Sequence, residues 1–233
     1  MLVVGFPTGS LQANCFVLAA EVGGPCVVVD PGQGAQQPLD DVLRKHRLDP
    51  VAVLLTHGHF DHIFAVTPVC DGHDIPAWIH PEDRVLLSDP MRALSADAWQ
   101  FFGGRVQLRE PREVRALADG TSLELAGLTF TVDHTPGHTR GSVTFRSVSG
   151  DAPGEGQTLL VSGDTLFAGS IGRTDLPGGD HEQMLTSLRD KILVLDDETV
   201  VLPGHGPHTT IGRERATNPF LHGLAAPGRA RGL

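Results

Sequence analysis

Thr56-His57-Gly58-His59-Phe60-Asp61-His62 sets three histidines and a carboxylate directly after the apolar run Val51-Ala52-Val53-Leu54-Leu55. In an extended segment residues i and i+2 point the same way, so His57 and His59 present two imidazoles to one ion. Asp61 and His62 fall where the chain turns into the next helix, well placed for a second ion. Neutral imidazole and carboxylate suit zinc, iron or manganese. The competing reading is a polar loop whose histidines only cap a helix, and the density of donors argues against it.

Further ligands stand in equivalent positions along the chain. Leu128-Thr129-Phe130-Thr131-Val132 leads into Asp133-His134-Thr135-Pro136-Gly137-His138-Thr139. Leu159-Leu160-Val161 leads into Ser162-Gly163-Asp164-Thr165, and Thr199-Val200-Val201-Leu202 into Pro203-Gly204-His205-Gly206. Each is a short apolar strand, then a small or turn-forming residue, then His or Asp. Buried sheets carry ligands at strand ends in this way.

Taken in order, T-H-x-H-x-D-H, P-G-H-T, S-G-D-T and P-G-H-G resemble the metallo-β-lactamase superfamily, and the spacing covers nearly the whole chain. Within it, Ser170-Ile171-Gly172-Arg173-Thr174-Asp175, Pro203-Gly204-His205-Gly206-Pro207 and Glu214-Arg215 through Asn218-Pro219-Phe220 look most similar to glyoxalase II (hydroxyacylglutathione hydrolase) and its short-form relatives. The resemblance implies an α/β (α+β) fold, the four-layer αββα sandwich. It implies that His57, His59 and His138 hold one metal, that Asp61, His62 and His205 hold a second, and that Asp164 bridges them. Two divalent ions follow, zinc foremost, with iron and manganese as alternatives. Asp61 is also the expected catalytic carboxylate. The implied reaction is hydrolysis of an S-2-hydroxyacyl thioester by a hydroxide held between ions about 3.5–4 Å apart.

Asp30, in Val27-Val28-Val29-Asp30-Pro31-Gly32, matches an early acidic position of that family. It would orient a ligand histidine from behind, or else simply open a Pro-Gly turn. Arg140 and Arg173 are the candidate cations for a carboxylate-bearing thioester, because a guanidinium fork matches a carboxylate. For Arg173 the alternative is an internal pair with Asp175. Full-length glyoxalase II continues into a helical glutathione-binding domain, whereas the sequence has little chain after His205, which leaves the thiol carrier open. A persulfide dioxygenase with a single iron is the alternative enzyme, and a non-catalytic metal-binding module the alternative outside catalysis. A lactonase relying on a tyrosine phenol is disfavoured because the chain contains no tyrosine.

A formal charge of −10 argues against a nucleic-acid groove, which needs a basic stripe to neutralise phosphates. Cys15, Cys26 and Cys70 are odd in number and lack Cys-x-x-Cys spacing, so no disulfide framework is expected. Met1 to Ser10 lacks the layout of a secretory signal and no run reaches membrane-spanning length. The expectations are a cytoplasmic monomer or homodimer acting on a small molecule, with neither nucleic acid nor membrane as partner.

The expected organisation is one domain over 1–220 and a flexible tail over 221–233. Strands are expected near Leu2–Val4, Cys15–Leu18, Val27–Asp30, Val51–Leu55, Ala77–Ile79, Ser122–Leu125, Leu128–Asp133, Ser142–Phe145 and Leu159–Val161. Helices are expected at Leu39–His46, from Asp61 or His62 through Val69, and at Asp180–Leu195 with Asp180 as N-cap. Residues 82–119 read as a helical excursion packed on the sandwich, with a wall of an acyl pocket or a dimer contact as the alternative. Of the remaining histidines, His46, His73, His80, His181 and His222 read as solvated, while His134 and His208 lie near ligand motifs.

Overall fold

The apolar strands bury both of their faces, and that double burial determines the layering. The computed structural model describes residues 1–94, 108–149 and 156–224. One six-stranded sheet runs in the order β1 (Leu2–Thr8), β2 (Ala13–Ala19), β3 (Pro25–Val29), β4 (Asp49–Leu54), β5 (Ala77–Ile79), β6 (Val114–Ala116). The first three strands pair antiparallel, and β3 through β6 pair in parallel. A second six-stranded sheet contains β7 (Ser122–Leu125), β8 (Leu128–His134), β9 (Val143–Ser149), β10 (Gln157–Gly163), β13 (Val200–Pro203) and β14 (Thr209–Thr210). Its spatial order is β14-β13-β10-β9-β8-β7. A small hairpin, β11 (Leu166–Phe167) and β12 (Ser170–Ile171), stands apart.

Successive side chains of a strand point to opposite faces. In β2, Phe16 and Leu18 enter the apolar layer between the sheets, while Cys15, Val17 and Ala19 enter a layer outside the first sheet. In β10, Leu159 and Val161 face the inter-sheet layer and Leu160 faces outward. The outer layer of the first sheet is closed by α1 (Gln36–His46) and α3 (Val66–His73), through Leu39, Leu43, Val66 and Val69. That of the second is closed by α4 (His181–Ser187) and α5 (Ile211–Thr217), through Met184 and Ile211. Three apolar layers between four layers of secondary structure are the αββα sandwich expected from the motif order. Cys15, Cys26 and Cys70 are all buried and unpaired in the first outer layer.

Local chemistry explains where elements depart from expectation. The helix expected from His62 through Val69 is broken into α2 (Phe60–Ile63) and α3. Pro68 has no N–H to give the carbonyl of Phe64, and its ring crowds that carbonyl, so a continuous helix cannot pass residue 64. Ala65 N–H instead donates to Pro31 O at 2.9 Å. Asp180 caps α4 as expected, accepting from Gln183 N. The helix then widens into a π turn over Leu188–Ile192, with Leu193 N–H on Leu188 O.

The helical excursion expected over 82–119 falls partly outside the described residues, at 95–107. Its described parts are two 3₁₀ turns, Arg84–Leu87 and Pro90–Ala93, and the strand β6. Leu86, Leu87 and Ala93 reach the first outer layer, so short turns suffice to bury these side chains. Trp99, Phe101 and Phe102 lie outside the described residues. At the other end, Leu221 is buried and Leu224 packs beside it, so the packed chain continues past residue 220. No helix among the described residues is long and apolar enough to cross a membrane.

Leu54 lies fully buried in the inter-sheet layer. Leu54→Ala is expected to cost about 2–5 kcal/mol of stability. Val148→Thr, at a position 51% exposed on β9, should stay within about 0.5 kcal/mol. Denaturant titration of both variants checks the layering, and a cost for Leu54→Ala below that of Val148→Thr would contradict it.

Candidate metal centre

Every candidate donor sits just past the carboxyl end of a strand or in the helix that follows. Asp30 follows β3, His57 and His59 follow β4, His138 follows β8, Asp164 follows β10 and His205 follows β13. Asp61 and His62 lie in α2, two and three residues past His59. The β10–β13 pairing shifts register between Val161 and Gly163, and its last pair, Gly163 with Pro203, directly precedes Asp164.

Two donor groups result. The ligand atoms of His57, His59 and His138 lie within 4.8 Å of one another, as do those of Asp61, His62 and His205. Asp164 stands between them: Oδ2 is 3.4 Å from His138 Nε2 and 3.6 Å from His205 Nε2, and Oδ1 is 3.4 Å from His62 Nε2. Asp61 Oδ2 is 3.3 Å from His205 Nε2 and 3.7 Å from His62 Nε2. The expected ligands are therefore together in space.

The far nitrogens of the rings are held from behind. His62 Nδ1 donates to Asp30 Oδ2 at 3.0 Å, His138 Nδ1 to Arg173 O at 2.7 Å, and His205 Nδ1 to Leu11 O at 3.1 Å. Thr56 Oγ1 donates to Asp30 Oδ2 at 2.5 Å and thereby accepts from His57 Nδ1 at 3.0 Å. These bonds assign the tautomers and leave the Nε2 lone pairs of His57, His62, His138 and His205 turned inward. Asp30, at φ 49°, also accepts Thr56 N at 2.8 Å, so it does more than open a turn.

Residues behind the donors that the sequence does not reveal include Thr56 and Asn14. Thr56 links Asp30 to His57, and its only sequence signal is adjacency to the histidine motif. Asn14, on β2, donates Nδ2 to Pro203 O and Gly206 O at 2.9 Å each, bracketing His205 from far away in sequence. No local pattern reveals that.

The electrostatics suit cations. Burial, then the neighbouring imidazoles, lower the pKa of His57 and His59, which keeps them neutral. Burial works against the charge on His62, but Asp164, Asp61 and Asp30 outweigh it and lift its pKa to about 10. Burial likewise opposes ionisation of Asp61, and His62 and His205 reverse this to hold it well below the usual carboxylate range. The residues fit metal on direct structural grounds as well. His57 Nε2 and Asp164 Oδ1 are buried without a hydrogen-bond partner, a cost of about 1–3 kcal/mol each that coordination would remove. Nitrogen donors dominate one group, and the other mixes nitrogen with carboxylate oxygen, which suits zinc, iron or manganese.

Above the donors lies a cleft of about 700 Å³ walled by Leu11, Phe60, Leu94, Phe167, Ile171 and Leu176. Arg173 lines it, but its guanidinium is in a two-pronged pair with Asp175, at 2.7 Å for each bond. Arg140, expected beside the substrate, is displaced from this cleft. It lines a neighbouring pocket with Glu82 and Pro177, because the chain after His138 turns toward the 3₁₀ turns. His134 Nε2 donates to Arg140 O at 2.8 Å, and its ring stacks on His80 at 4.1 Å and 11°. Those two rings, with Glu82, form another three-donor group, but one ion cannot lie in the planes of two parallel stacked rings. His73, His181, His208 and His222 are exposed and join no donor group among the described residues.

Close packing at Gly204 makes the centre sensitive to a single methyl. A Cβ there would fall 2.1 Å from Asp164 Oδ1 and 2.9 Å from His62 Cε1. Gly204→Ala should displace Asp164 and lower bound metal by at least about tenfold in affinity, as disturbing ligand support does. Elemental analysis after dialysis checks this, and full metal retention would mean that the clefts and donors are arranged otherwise.

Residues 8–205 match the family model described as Metallo-beta-lactamase superfamily. A Mycobacterium tuberculosis protein is 51% identical over 97% of this chain and 100% of its own length. Probable metallo-hydrolase YqgX of Bacillus subtilis is 37% identical over 94% of this chain and 97% of its own. Hydroxyacylglutathione hydrolase GloC of Haemophilus influenzae is 32% identical over 93% and 96%. Among solved structures, BLEG-1 B3 metallo-beta-lactamase superposes with TM-score 0.82 at 41% identity, over 95% of this chain and all of the other. TTHA1623 in a di-iron-bound form gives 0.75 at 40% identity, over 95% and 100%. ETHE1 from Myxococcus xanthus shares the fold, with TM-score 0.73 at 22% identity over 99% and 93%. With donors at the strand ends of an αββα sandwich and a family match spanning most of its length, the chain belongs to the metallo-β-lactamase superfamily of metal-binding hydrolases.

Proposed function

We propose that the protein is a dinuclear metallo-hydrolase that cleaves S-2-hydroxyacyl thioesters of a low-molecular-weight thiol. The observation that carries this reading is the shared carboxylate, with Asp164 3.4 Å from a histidine of each donor group at the floor of an apolar-walled cleft. His57, His59 and His138 would hold one divalent ion and Asp61, His62 and His205 the other, with zinc or iron as the ion. The di-iron form of TTHA1623 supports iron as fully as ligand chemistry supports zinc. When bound, such a pair acidifies water toward about pH 7 and stabilises the oxyanion that forms at an attacked carbonyl.

The chain's own groups serve the remaining needs of the reaction. Water oxygen adds to the thioester carbon, the C–S bond breaks, and the thiolate leaves with a proton from solvent. Asp61 stays ionised and, facing the inner side of both His62 and His205, is the carboxylate that orients the attacking water. Phe60, Phe167 and Ile171 exclude bulk water from the acyl group. Arg173 holds His138 through its main chain and offers its side chain to an anionic part of the substrate in exchange for Asp175. GloC, at 32% identity, supports the thioester class. The persulfide dioxygenase reading needs one ion, and the presence of two complete donor groups weighs against it. A second reading, opening of a β-lactam amide, rests on the 41% identity to BLEG-1.

Elemental analysis, thioester hydrolysis, β-lactam turnover and oxygen uptake on one purified sample discriminate among these. The proposal expects about two ions per chain with thioester cleavage. One iron with oxygen consumption on a persulfide, or β-lactam turnover without thioester cleavage, would displace it. Asp164→Ala should drop metal to about one ion or fewer per chain together with activity, and retention of both ions would sink the dinuclear reading. Arg173→Ala leaves the carbonyl that holds His138 in place. It should raise KM for anionic thioesters about three- to fivefold, the worth of one exposed ion pair, with neutral thioesters unchanged. Equal effects on both would reduce Arg173 to a loop support.

A further inference from the structure

Asp30 supports one side of the centre, and a second buried carboxylate stands on the other. Asp83 is 2% exposed and forms no salt bridge among the described residues. Its carboxylate accepts three hydrogen bonds from neutral donors: Gly58 N at 2.8 Å and Thr139 Oγ1 at 2.6 Å on Oδ2, and Gly141 N at 2.8 Å on Oδ1. Gly58 lies between His57 and His59, and Thr139 follows His138. One side chain therefore ties together the two loops that carry the whole first donor group.

The junction is built for close approach. A Cβ on Gly58 would meet Leu86 Cδ1 at 2.6 Å and Asp83 O at 3.0 Å, and one on Gly141 would meet Asp83 Cγ at 2.7 Å. Asp83 is itself fixed at the mouth of a 3₁₀ turn, its N–H on His80 O and its carbonyl accepting Leu86 N. Leu86 and Leu87 root that turn in the outer apolar layer. Thr139 is further locked by Ser142, with Oγ–Oγ at 2.7 Å and Thr139 N on Ser142 Oγ at 3.1 Å. A buried carboxylate is costly unless hydrogen bonds replace its water, and here three donors converge to do so.

We infer that Asp83 is a positioning residue for the His57–His59–His138 ion, setting the separation of the two ligand loops without itself touching metal. Asp30 holds His62 directly and His57 through Thr56, so each ligand group has a buried carboxylate behind it, one gripping rings and the other gripping backbone. The inference rests on the metal-centre reading and is independent of the substrate.

Asp83→Asn preserves shape but turns an amide NH₂ toward either Gly141 N–H or the pair Gly58 N–H and Thr139 O–H, so donor faces donor whichever way the amide lies. Zn²⁺ titration of apoprotein against a competing chelator, with His59→Ala marking which binding step belongs to this group, reads the effect. The expected result is a loss of about 10–100-fold in that step alone, the usual consequence of removing support behind a ligand. The step belonging to Asp61, His62 and His205 should hold within about threefold, a selectivity that general loosening of the fold would not produce. Thr139→Val removes one of the three donors and provides a second test should Asp83→Asn fail to fold: a smaller loss, of about 3–10-fold, in the same step. Unchanged affinity in that step, or equal loss in both, overturns the inference. Failure of wild-type protein to bind two ions would instead end the dinuclear reading.

Discussion

Five imidazoles and three carboxylates share one largely buried pocket, and four of the rings, those of His57, His62, His138 and His205, are held at the far nitrogen with the near one turned inward. Buried polar atoms seek partners, and a pocket of such donors without a cation leaves several unsatisfied. The arrangement stores ligand geometry in advance, so a bound ion replaces unfavourable contacts instead of reorganising the chain. His62 shows the same constraint electrostatically. Three carboxylates raise its affinity for a proton, and a bound metal ion would supply the same neutralisation in the proton's place.

The sandwich exists to bring that pocket together. The donor-bearing strands of both sheets end on one side, and the inter-sheet layer of Phe16, Leu54, Phe130, Phe145 and Val161 fixes the separation between the loops of β4 and those of β8 and β10. A main-chain bond from Val143 N to Thr56 O crosses between the two loop sets. Asn14 carries the same logic to the β13 loop, and Asp83 to the loops around His59 and His138. Positional precision at the ligands therefore comes from outer contacts spread over most of the chain.

The apolar wall over the centre governs what can reach it. Leu11, Phe60, Leu94, Phe167, Ile171 and Leu176 make that wall apolar, and the cation beside it is already paired with Asp175. An anionic ligand would have to compete with Asp175 for Arg173. The same site therefore suits either a weakly charged substrate or an anionic one that brings a better-placed carboxylate than Asp175.

Much of this was legible in the chain. The i, i+2 spacing of His57 and His59 and the recurrence of apolar run, small residue and donor mark candidate ligands, because periodicity and ligand chemistry are local properties, while the αββα sandwich and the division of donors between two ions are what the resemblance of the motifs implies. Pro68 was visible too, but its breaking of the helix matters only once Ala65 finds Pro31 as an alternative acceptor. Tertiary structure alone decided which groups stand behind the donors. Thr56, Asn14 and Asp83 contribute through contacts with residues up to 192 positions away, and Arg140 leaves the cleft through the path of a loop. Hydrogen bonds act over about 3 Å in space with no regard for sequence separation, so the partners of a ligand become knowable only when the sheets have met.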